Sequence, residues 1–296
     1  MNGILNIDKP LGKTSFSIVA LVKRLTGEKH AGHAGTLDPQ ARGVLPICLG
    51  QATRLVEYLM DTYKSYRAEI EFGVVTDTYD SEGKVIQRSD ASGITLERLE
   101  TALNSFRGVI TQLPPMYSAV KHNGNPLYAL ARAGIEVERK SRTALIQSLE
   151  LKDWQPPVAT IEVVCGKGTY IRSLAHDLGQ EVGCGASLKS LIRLRCGVFD
   201  IDSAISIENF EEACKNGYWE SLLYPMDSIL TNMGAVIINE EKAQSIRNGA
   251  LVIFGDDTSS KPVEKYCRAY TWDGNLLGIL KFDSEKKQWQ PEKVFN

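Results

Sequence analysis

The sequence lacks the features that mark membrane proteins and zinc-binding proteins. No apolar run approaches the roughly 18 residues that a helix needs to span a bilayer, and the first residues lack the basic start and apolar stretch of a signal peptide. The six cysteines include no CxxC pair, which argues against a structural zinc site. We therefore expect a cytoplasmic protein with free, mostly buried thiols, no metal and no membrane partner.

A nucleotide-binding loop is also missing. Residues 166–169 read GKGT, but the GxxxxGK[ST] spacing of a phosphate-binding loop is absent. We therefore reject ATP binding. Low-complexity tracts and internal repeats are absent as well, and the 43% hydrophobic residues are typical of a globular chain with little disorder.

A strong excess of positive charge is lacking too, since the net charge is only −2. The charge is nevertheless uneven along the chain. Residues 9–54 hold seven Lys and Arg against two acidic residues, and residues 121–142 hold five against two. These segments could follow a phosphate backbone, although charge runs are more often simply solvated faces.

The hydrophobic pattern predicts helices and strands without a regular βαβ rhythm. Apolar residues at helical spacing, from Phe16 through Val19 and Val22 to Leu25, predict a helix that Ser15 caps. Residues 30–39 are rich in glycine and predict an exposed loop. Further predicted elements are an alternating strand from residue 64, a helix between residues 95 and 108, a strand at 159–165 and a helix from 169 to about 179.

The predicted fold class is α+β, with a mixed, mainly antiparallel central sheet flanked by helices. We expect a first domain over residues 1–230, with an insertion at about 112–143. The pattern breaks near residues 225–233, and a small β domain is predicted over residues 234–296. Its strongest local signal is a hairpin turn at Asp273-Gly274.

Asp38-Pro39 is the most suggestive dipeptide for chemistry. An aspartate before a proline is more often a helix N-cap than a catalytic group. Here, however, two glycines of the same loop let the backbone approach a bulky ligand. His33 offers a flat ring that could stack on a base, and Arg42 lies close in sequence.

A longer match turns this suggestion into a family resemblance. Residues 32–39 read GHAGTLDP and residues 43–53 read GVLPICLGQAT. This run resembles the signature of the bacterial tRNA pseudouridine-55 synthases, the TruB family, and LNIDKP at residues 5–10 resembles the family's opening segment. The resemblance implies the pseudouridine synthase fold and isomerisation of uridine 55 in the T loop of tRNA. It also implies a monomer that uses neither a cofactor nor a guide RNA.

The resemblance also implies the catalytic residues. Asp38 corresponds to the catalytic carboxylate, Tyr66 to the tyrosine beside the target base, and Arg172 to the arginine of GTYIR at residues 168–172. A core tyrosine on a strand is the alternative reading of Tyr66. We expect a bidentate contact from Arg172 to hold Asp38 ionised.

Three further residues are implied as substrate-binding groups. His33 would fill the gap that a flipped base leaves, and Tyr170 and Leu191 would form walls around the uracil. One departure from the family stands next to Leu191, because the chain has Ile192 where the family usually places an arginine. The role of that missing arginine stays open.

Two segments are implied to contact RNA. Residues 115–121, PMYSAVK, resemble part of the insertion that closes over RNA in this family. The tail from about residue 235 is similar to the small PUA-like β domain of RNA-modifying proteins.

From the sequence, Asp38 could attack the base, attack the sugar, or remove a sugar proton to give a glycal.

Three alternative functions remain open. A non-catalytic RNA-binding protein or chaperone would need none of the three catalytic groups. A hydrolase of glycosidic bonds would need a second acid, and no companion acidic motif stands out. A guide-RNA-dependent synthase is the third alternative, but residues 46–53 and the insertion look more like the stand-alone bacterial form.

Overall fold

The computed structural model describes residues 1–254 and 265–295. The chain divides into two compact units, Met1–Tyr224 and Pro225–Asn296. The predicted catalytic domain at residues 1–230 and the predicted RNA-binding domain at residues 234–296 stay predictions as functional units. No helix among the described residues is both long and apolar enough to cross a bilayer.

The first unit contains six α-helices and thirteen strands among the described elements. Its helices are α1 Ser15–Thr26, α2 Val56–Met60, α3 Leu96–Ser105, α4 Leu127–Arg132, α5 Ile171–Val182 and α6 Ile207–Lys215. Its strands are β1 Gly3–Lys9, β2 Ala31–His33, β3 Ala41–Leu49, β4 Lys64–Phe72, β5 Val74–Thr76, β6 Val85–Arg88, β7 Gly108–Gln112, β8 Lys121–His122, β9 Asn125–Pro126, β10 Arg142–Gln155, β11 Val158–Cys165, β12 Ala186–Cys196 and β13 Phe199–Asp200.

The central sheet is mixed and mainly antiparallel, so the predicted α+β class is confirmed. Its order is β1-β3-β12-β4-β11-β10-β7, with β2 paired to β3 and β13 paired to β12. The pair β3–β12 is parallel, and the other pairs described in this sheet are antiparallel. Side chains of the sheet form one buried core with side chains of α1, α3 and α5.

Strand β4 follows the predicted alternation. Ala68, Ile70 and Phe72 are buried, whereas Arg67 is exposed and Glu69 and Glu71 are partly exposed. Helix α3 also begins as predicted, because the Thr95 hydroxyl accepts a hydrogen bond from the backbone N–H of the third residue of the helix. The alternation of buried and exposed residues and the capping residue were therefore sufficient to predict these two elements from the sequence.

The buried face of α1 differs from the predicted face. Phe16 is 77% exposed, and Ile18 takes its place in the core beside Val19 and Val22. Residues 18, 19 and 22 lie on one side of a 3.6-residue helix, whereas residue 16 points about 200° away from residue 18. The prediction was wrong at this position because two overlapping helical patterns fit the same sequence.

The cap of α1 was also predicted one residue too late. The Thr14 hydroxyl accepts from the backbone N–H of Ser17 and so caps the helix. The Ser15 hydroxyl instead donates to the backbone carbonyl of Leu37 at 3.0 Å and accepts from its N–H at 2.8 Å. The first turn of α1 is thereby tied to the residue that precedes Asp38.

The predicted exposed loop at residues 30–39 is wrong in part. Ala31–His33 forms β2, which pairs with β3, and the N–H of Ala34 donates to the carbonyl of Pro46. Ala34 is fully buried and Leu37 is 3% exposed. The glycines indicated a turn correctly at Gly35, where φ is +85°. Burial of two apolar side chains then draws the rest of the segment inward.

The predicted insertion contains little regular structure. It includes the two-residue strands β8 and β9 and the short helix α4. The Arg139 guanidinium donates to the carbonyl of Pro114 at 3.0 Å, and the Ser173 hydroxyl of α5 donates to the carbonyl of Leu113 at 2.8 Å. The base of the insertion is therefore fastened to itself and to α5.

The second unit is a small sheet with one described α-helix, which confirms the predicted β-rich tail. Its elements are β14 Gly234–Ile237, α7 Glu240–Arg247, β15 Tyr266–Tyr270, β16 Leu276–Asp283 and β17 Gln288–Val294. The strand order is β14-β15-β16-β17, and the predicted hairpin turn at residues 273–274 joins β15 to β16. Part of the predicted domain, residues 255–264, lies outside the described residues.

The cysteines of the described residues are free thiols, as predicted. Cys214 is partly exposed and the other five are buried. Burial raises the pKa of the Cys48 thiol to about 12 and that of the Cys165 thiol to about 11. Both thiols therefore stay protonated near neutral pH and pack as small apolar groups.

Helix α5 lies unusually close to the start of β12, and Gly179 permits this approach. A Cβ atom at residue 179 would lie 2.1 Å from the backbone nitrogen of Ala186 and 2.4 Å from the carbonyl carbon of Gly185. Both neighbours are backbone atoms and cannot rotate away. The position of α5, and of the residues it carries, therefore depends on the absence of a side chain here.

We predict that Gly179→Ala destabilises the protein by about 1–3 kcal/mol through overpacking. Alanine favours helices over glycine by about 1 kcal/mol, so the steric effect must exceed this gain. Denaturant unfolding followed by circular dichroism measures the change. The exposed neighbour provides the control, and Gln180→Ala should change little. Equal stability of the two variants would contradict the close approach.

Candidate active site

The structure brings Asp38 and Arg172 together. Asp38 lies in the turn between β2 and β3, and Arg172 is the second residue of α5. The guanidinium Nε is 3.0 Å from Asp38 Oδ2, which is a charge-assisted hydrogen bond. The arginine side chain is 7% exposed and the carboxylate side chain 41% exposed. A buried cation therefore holds an anion that can still be reached from outside.

The expected bidentate contact is wrong, because Arg172 divides its donors among several acceptors. Its Nη1 lies 3.5 Å from Asp80 Oδ2, and its Nη2 donates to the carbonyl of Tyr117 at 2.8 Å. Nε is the guanidinium nitrogen nearest to Asp38. A single positive charge is thus shared between two carboxylates, and the insertion supplies a carbonyl to the same guanidinium.

Asp80 is a site residue that the sequence reasoning missed. It lies in the loop between β5 and β6, and its Oδ1 accepts from the Thr78 hydroxyl at 2.6 Å and from the N–H of Glu82 at 3.1 Å. Locally it therefore looks like an ordinary turn aspartate. Its contact with Arg172 joins residues far apart in the chain, so no local pattern signals it. No acidic motif marks Asp80 in the sequence, yet the fold places its carboxylate beside Arg172.

The environment of Asp38 raises the pKa of its carboxyl. Partial burial of the carboxyl in the cleft is the largest cause, and the negative charge of Asp80 acts in the same direction. Arg172 and Lys9 lower the pKa without cancelling the rise. The expectation that Arg172 alone would set the charge state of Asp38 was therefore incomplete.

Lys9 holds the backbone next to Asp38. Its side chain is fully buried, and its Nζ donates to the carbonyls of Lys13 at 2.6 Å, Pro10 at 2.9 Å and Pro39 at 3.4 Å. Burial lowers the pKa of Lys9 to about 8. The ammonium group thus ties the end of β1 to the residue that follows Asp38.

Arg193 is a second buried cation that the sequence reasoning left without a role. It is 1% exposed, and it donates from Nε to the carbonyl of Val44 at 2.6 Å and from Nη2 to that of Gly35 at 3.1 Å. Its guanidinium also hydrogen-bonds the Tyr66 side chain. The sequence did offer one indication of its importance. Arg193 is an arginine of the family motif that this chain keeps, next to the position where Ile192 replaces the usual arginine.

Tyr66 sits on β4 opposite Arg193 of β12. Its ring is half-buried and packs against the central core, so the core reading of this residue holds. Burial raises the pKa of its hydroxyl to about 12, and the contact with Arg193 lowers it only partly. The hydroxyl is therefore neutral near pH 7.

His33 and Tyr170 lie beside this arrangement. His33 is the last residue of β2, and its buried Nδ1 has no hydrogen-bond partner among the described residues. Burial lowers the pKa of His33, and the charge of Arg193 acts in the same direction. Tyr170 immediately precedes α5, and its backbone N–H and carbonyl both bond the side-chain amide of Gln112.

A narrow cleft opens at the ion pair. Its lining includes Asp38, Asp80, Arg172 and Leu191, and the last of these is 8% exposed at the point where β12 meets β3. Tyr66, His33 and Tyr170 are not part of this lining. A larger depression of about 320 Å³ lies near Thr95, but none of the candidate residues lines it.

The cleft presents an anionic group, the Asp38 carboxylate, that can act on a neutral substrate. Its carboxylate is oriented by a buried guanidinium, and Leu191 offers an apolar wall on one side. Among residues 1–254 and 265–295, no group of three or more His, Cys, Asp or Glu is arranged to hold a metal ion.

We predict that Asp80→Asn lowers the pKa of Asp38. The substitution removes the neighbouring negative charge, and with it one of the two causes that raise this pKa. Titration of the aspartate carboxyl carbons by NMR measures the shift. In the wild type, Asp38 should titrate above the ordinary range of an aspartate. Asp90→Asn, at an exposed aspartate, is the control, and an Asp38 titration identical in all three proteins would refute the coupling.

We predict that Arg193→Lys destabilises the fold. An ammonium group lacks the planar fork that serves Val44, Gly35 and Tyr66 together. Each buried acceptor left without a donor costs roughly 1–3 kcal/mol. Denaturant unfolding measures the loss, and Arg195→Lys, two residues away on the exposed face, is the matched control. Unchanged stability in both variants would contradict the anchoring role.

Comparison with known proteins identifies the family. Residues 23–171 match the profile of the TruB family pseudouridylate synthase (N terminal domain), and residues 172–231 match the tRNA pseudouridylate synthase B C-terminal domain. The chain is 44% identical to the tRNA pseudouridine synthase B of Dehalococcoides mccartyi over 295 residues, which cover 100% of this chain and 97% of that protein. It is 47% identical to the protein of the same name from Symbiobacterium thermophilum, over 84% of this chain and 82% of that protein.

A solved structure agrees at the level of the fold. The crystal structure of a Cbf5-Nop10-Gar1 complex contains a chain that matches with a TM-score of 0.75 at 25% identity, covering 99% of this chain and 85% of that chain. The pseudouridine synthase fold expected from the resemblance is therefore confirmed. With family matches over more than half of its length and relatives that align from end to end, the chain belongs to the TruB family of pseudouridylate synthases.

Proposed function

We propose that this chain converts one uridine of tRNA to pseudouridine, at position 55 in the T loop. The observation that carries the proposal is the Asp38–Arg172 ion pair, which lies in a cleft beside Leu191. Support comes from full-length relatives that bear the name tRNA pseudouridine synthase B. The reaction breaks the C1′–N1 bond and forms a C1′–C5 bond, while C5 loses a proton and N1 gains one. Atoms are conserved, so the reaction needs no cofactor.

The target uridine must first leave the stack of the folded RNA. Flipping a base costs a few kcal/mol, and an aromatic ring that takes its place returns about 1–3 kcal/mol. His33 is the residue proposed to fill the gap. The lowered pKa of this imidazole keeps it neutral, which suits a ring that stacks between bases.

Asp38 is proposed as the catalytic carboxylate and must be ionised to act. The Nε contact of Arg172 holds one oxygen, and the carboxylate side chain lines the cleft and is 41% exposed. Such a fixed carboxylate can attack the base, attack C1′ of the sugar, or remove a sugar proton. In the proposed complex, Leu191 and Tyr170 pack against the uracil.

Tyr66 is proposed to receive the C5 proton in the last step. With a pKa raised to about 12, its hydroxyl is neutral in the resting protein, and Arg193 donates to its oxygen. To take the C5 proton, the neutral hydroxyl must give up its own proton, and N1 of the base, which gains one proton in the overall reaction, is the acceptor that balances the step. Proximity to the base, more than basicity, would carry this step.

The tRNA is proposed to lie across two further parts of the chain. Residues 112–143 supply a basic insertion whose base is fastened to α5 and to Arg172 through Tyr117. Residues 234–296 supply the PUA-like unit. We propose that the protein acts as a monomer in the cytoplasm and requires no guide RNA.

Hydrolysis of a glycosidic bond is the alternative that the structure raises, because Asp80 provides a second carboxylate near Asp38. In hydrolases the two carboxylates flank the scissile bond, about 5–9.5 Å apart, and one of them donates a proton. Asp80 instead shares Arg172 with Asp38 and accepts two further hydrogen bonds at Oδ1. Both carboxylates therefore contact one guanidinium, which differs from the placement of an acid–base pair on either side of a scissile bond.

We predict that the purified chain releases tritium from a tRNA transcript labelled at C5 of uridine, with no free uracil formed and no second RNA added. Pseudouridine mapping should place the product at position 55. Asp38→Asn should abolish turnover and leave tRNA binding within about twofold, since the amide keeps the shape of the side chain and loses its charge. Binding should weaken as salt rises.

Asp90→Asn is the matched control for this experiment, because it makes the same change at an exposed site. It should retain wild-type activity. Free uracil in place of pseudouridine would show hydrolysis, and activity only after addition of cellular RNA would show a guide requirement. Near-normal turnover by Asp38→Asn would remove Asp38 from the mechanism.

A further inference from the structure

Tyr79 adopts a backbone conformation that residues with a side chain rarely take. It lies in the loop between β5 and β6 with φ = +66°. The other non-glycine residues with positive φ in the described chain are Asn123 and Lys287. A bulky aromatic residue in this region is unfavourable and persists only where surrounding contacts hold it.

A ring contact supplies the compensation. The Tyr79 ring stacks on the imidazole of His176 with the centroids 3.9 Å apart and the planes 13° from parallel. His176 lies on α5, four residues after Arg172, so the two side chains share one face of that helix. The loop is therefore clamped to the helix that presents the catalytic-site arginine.

The residues on either side of Tyr79 both contact Arg172. The carbonyl of Thr78 lies 3.5 Å from Nη1, and Asp80 Oδ2 lies 3.5 Å from the same nitrogen. The carbonyl of Tyr79 itself accepts from the N–H of Leu188 at 2.9 Å. Three consecutive residues thus send acceptors in two directions, towards Arg172 and towards Leu188.

We propose that Tyr79 is a positioning residue for the reaction. Its stack on His176 holds residue 79 in the left-handed conformation, and this conformation presents Thr78 and Asp80 to Arg172. Through Arg172 the stack fixes the orientation of Asp38. The inference rests on the proposed function, and it adds two residues that do not line the cleft themselves.

The test uses steady-state pseudouridine formation by the full chain on unmodified tRNA transcript. Tyr79→Ala and His176→Ala each remove the stack and should lower kcat about tenfold or more, because small displacements of a catalytic group cost rate steeply. KM for tRNA should stay within about twofold, since neither ring is proposed to touch RNA. Tyr79→Phe keeps the ring and should retain wild-type kcat.

A double variant tests whether the two rings act as one unit. Tyr79→Ala combined with His176→Ala should lose no more activity than the worse single variant. If Tyr79→Ala fails to fold in thermal unfolding, His176→Gln removes the stack without touching the loop backbone and carries the same expectation.

Three results would overturn the proposal. The first is an unchanged kcat in the variants that lack the stack. The second is an equal loss of kcat in Tyr79→Phe, which would assign the effect to the hydroxyl. The third is an effect on KM alone. A wild-type chain that forms no pseudouridine would overturn the proposed function instead. The two failures are therefore distinguishable.

Discussion

The arrangement of the candidate site depends on one guanidinium, whose single positive charge is shared by two carboxylates and a backbone carbonyl. Arg172 contacts the carboxylates of Asp38 and Asp80 and the carbonyl of Tyr117. These groups come from the turn after β2, the β5–β6 loop and the insertion. Because this guanidinium is buried and contacts all three groups, it holds the four segments together as a unit.

The sharing of this guanidinium has a consequence for Asp38. A carboxylate with an arginine to itself would have a lowered pKa. Here burial and Asp80 outweigh Arg172, and the pKa rises. A carboxylate with a higher pKa binds protons and attacks electrophiles more strongly once it is ionised, which suits a nucleophile or general base.

Two other buried cations fix the backbone around Asp38. Lys9 binds the carbonyl of Pro39 on one side, and Arg193 binds that of Gly35 on the other. Both donate mainly to backbone carbonyls, so they hold the loop around Asp38 in place. A site built in this way is organised before any substrate arrives, which lowers the cost of reaching the reactive geometry.

Local patterns in the sequence predicted the local elements and the family. The alternation in β4, the Thr95 cap and the turn at residues 273–274 each depend on neighbours within a few residues, and the structure has them. The long match around Asp38 identified the ion pair with Arg172. Phe16 was misplaced because two helical phases fit the same residues and only packing selects one.

The missed residues depend on contacts between distant parts of the chain. Asp80 has the local hydrogen bonds of a turn residue, and only the fold brings it to Arg172. Arg193 reads as one of several basic residues of a strand until the parallel pairing of β3 with β12 places it over Gly35 and Val44. Periodicity and capping rules contain no information about such contacts.

The most direct test of this account is a crystal structure of the chain bound to a T stem-loop in which the target uridine is replaced by 5-fluorouridine. Fluorine in place of the C5 hydrogen blocks the final proton loss and should hold the RNA in the site. We expect the base outside its stack, beside Leu191, with an Asp38 oxygen within about 3.5 Å of the base or of the sugar carbon C1′. A complex in which the uracil binds elsewhere, or remains stacked while Asp38 faces solvent, would contradict the central claim.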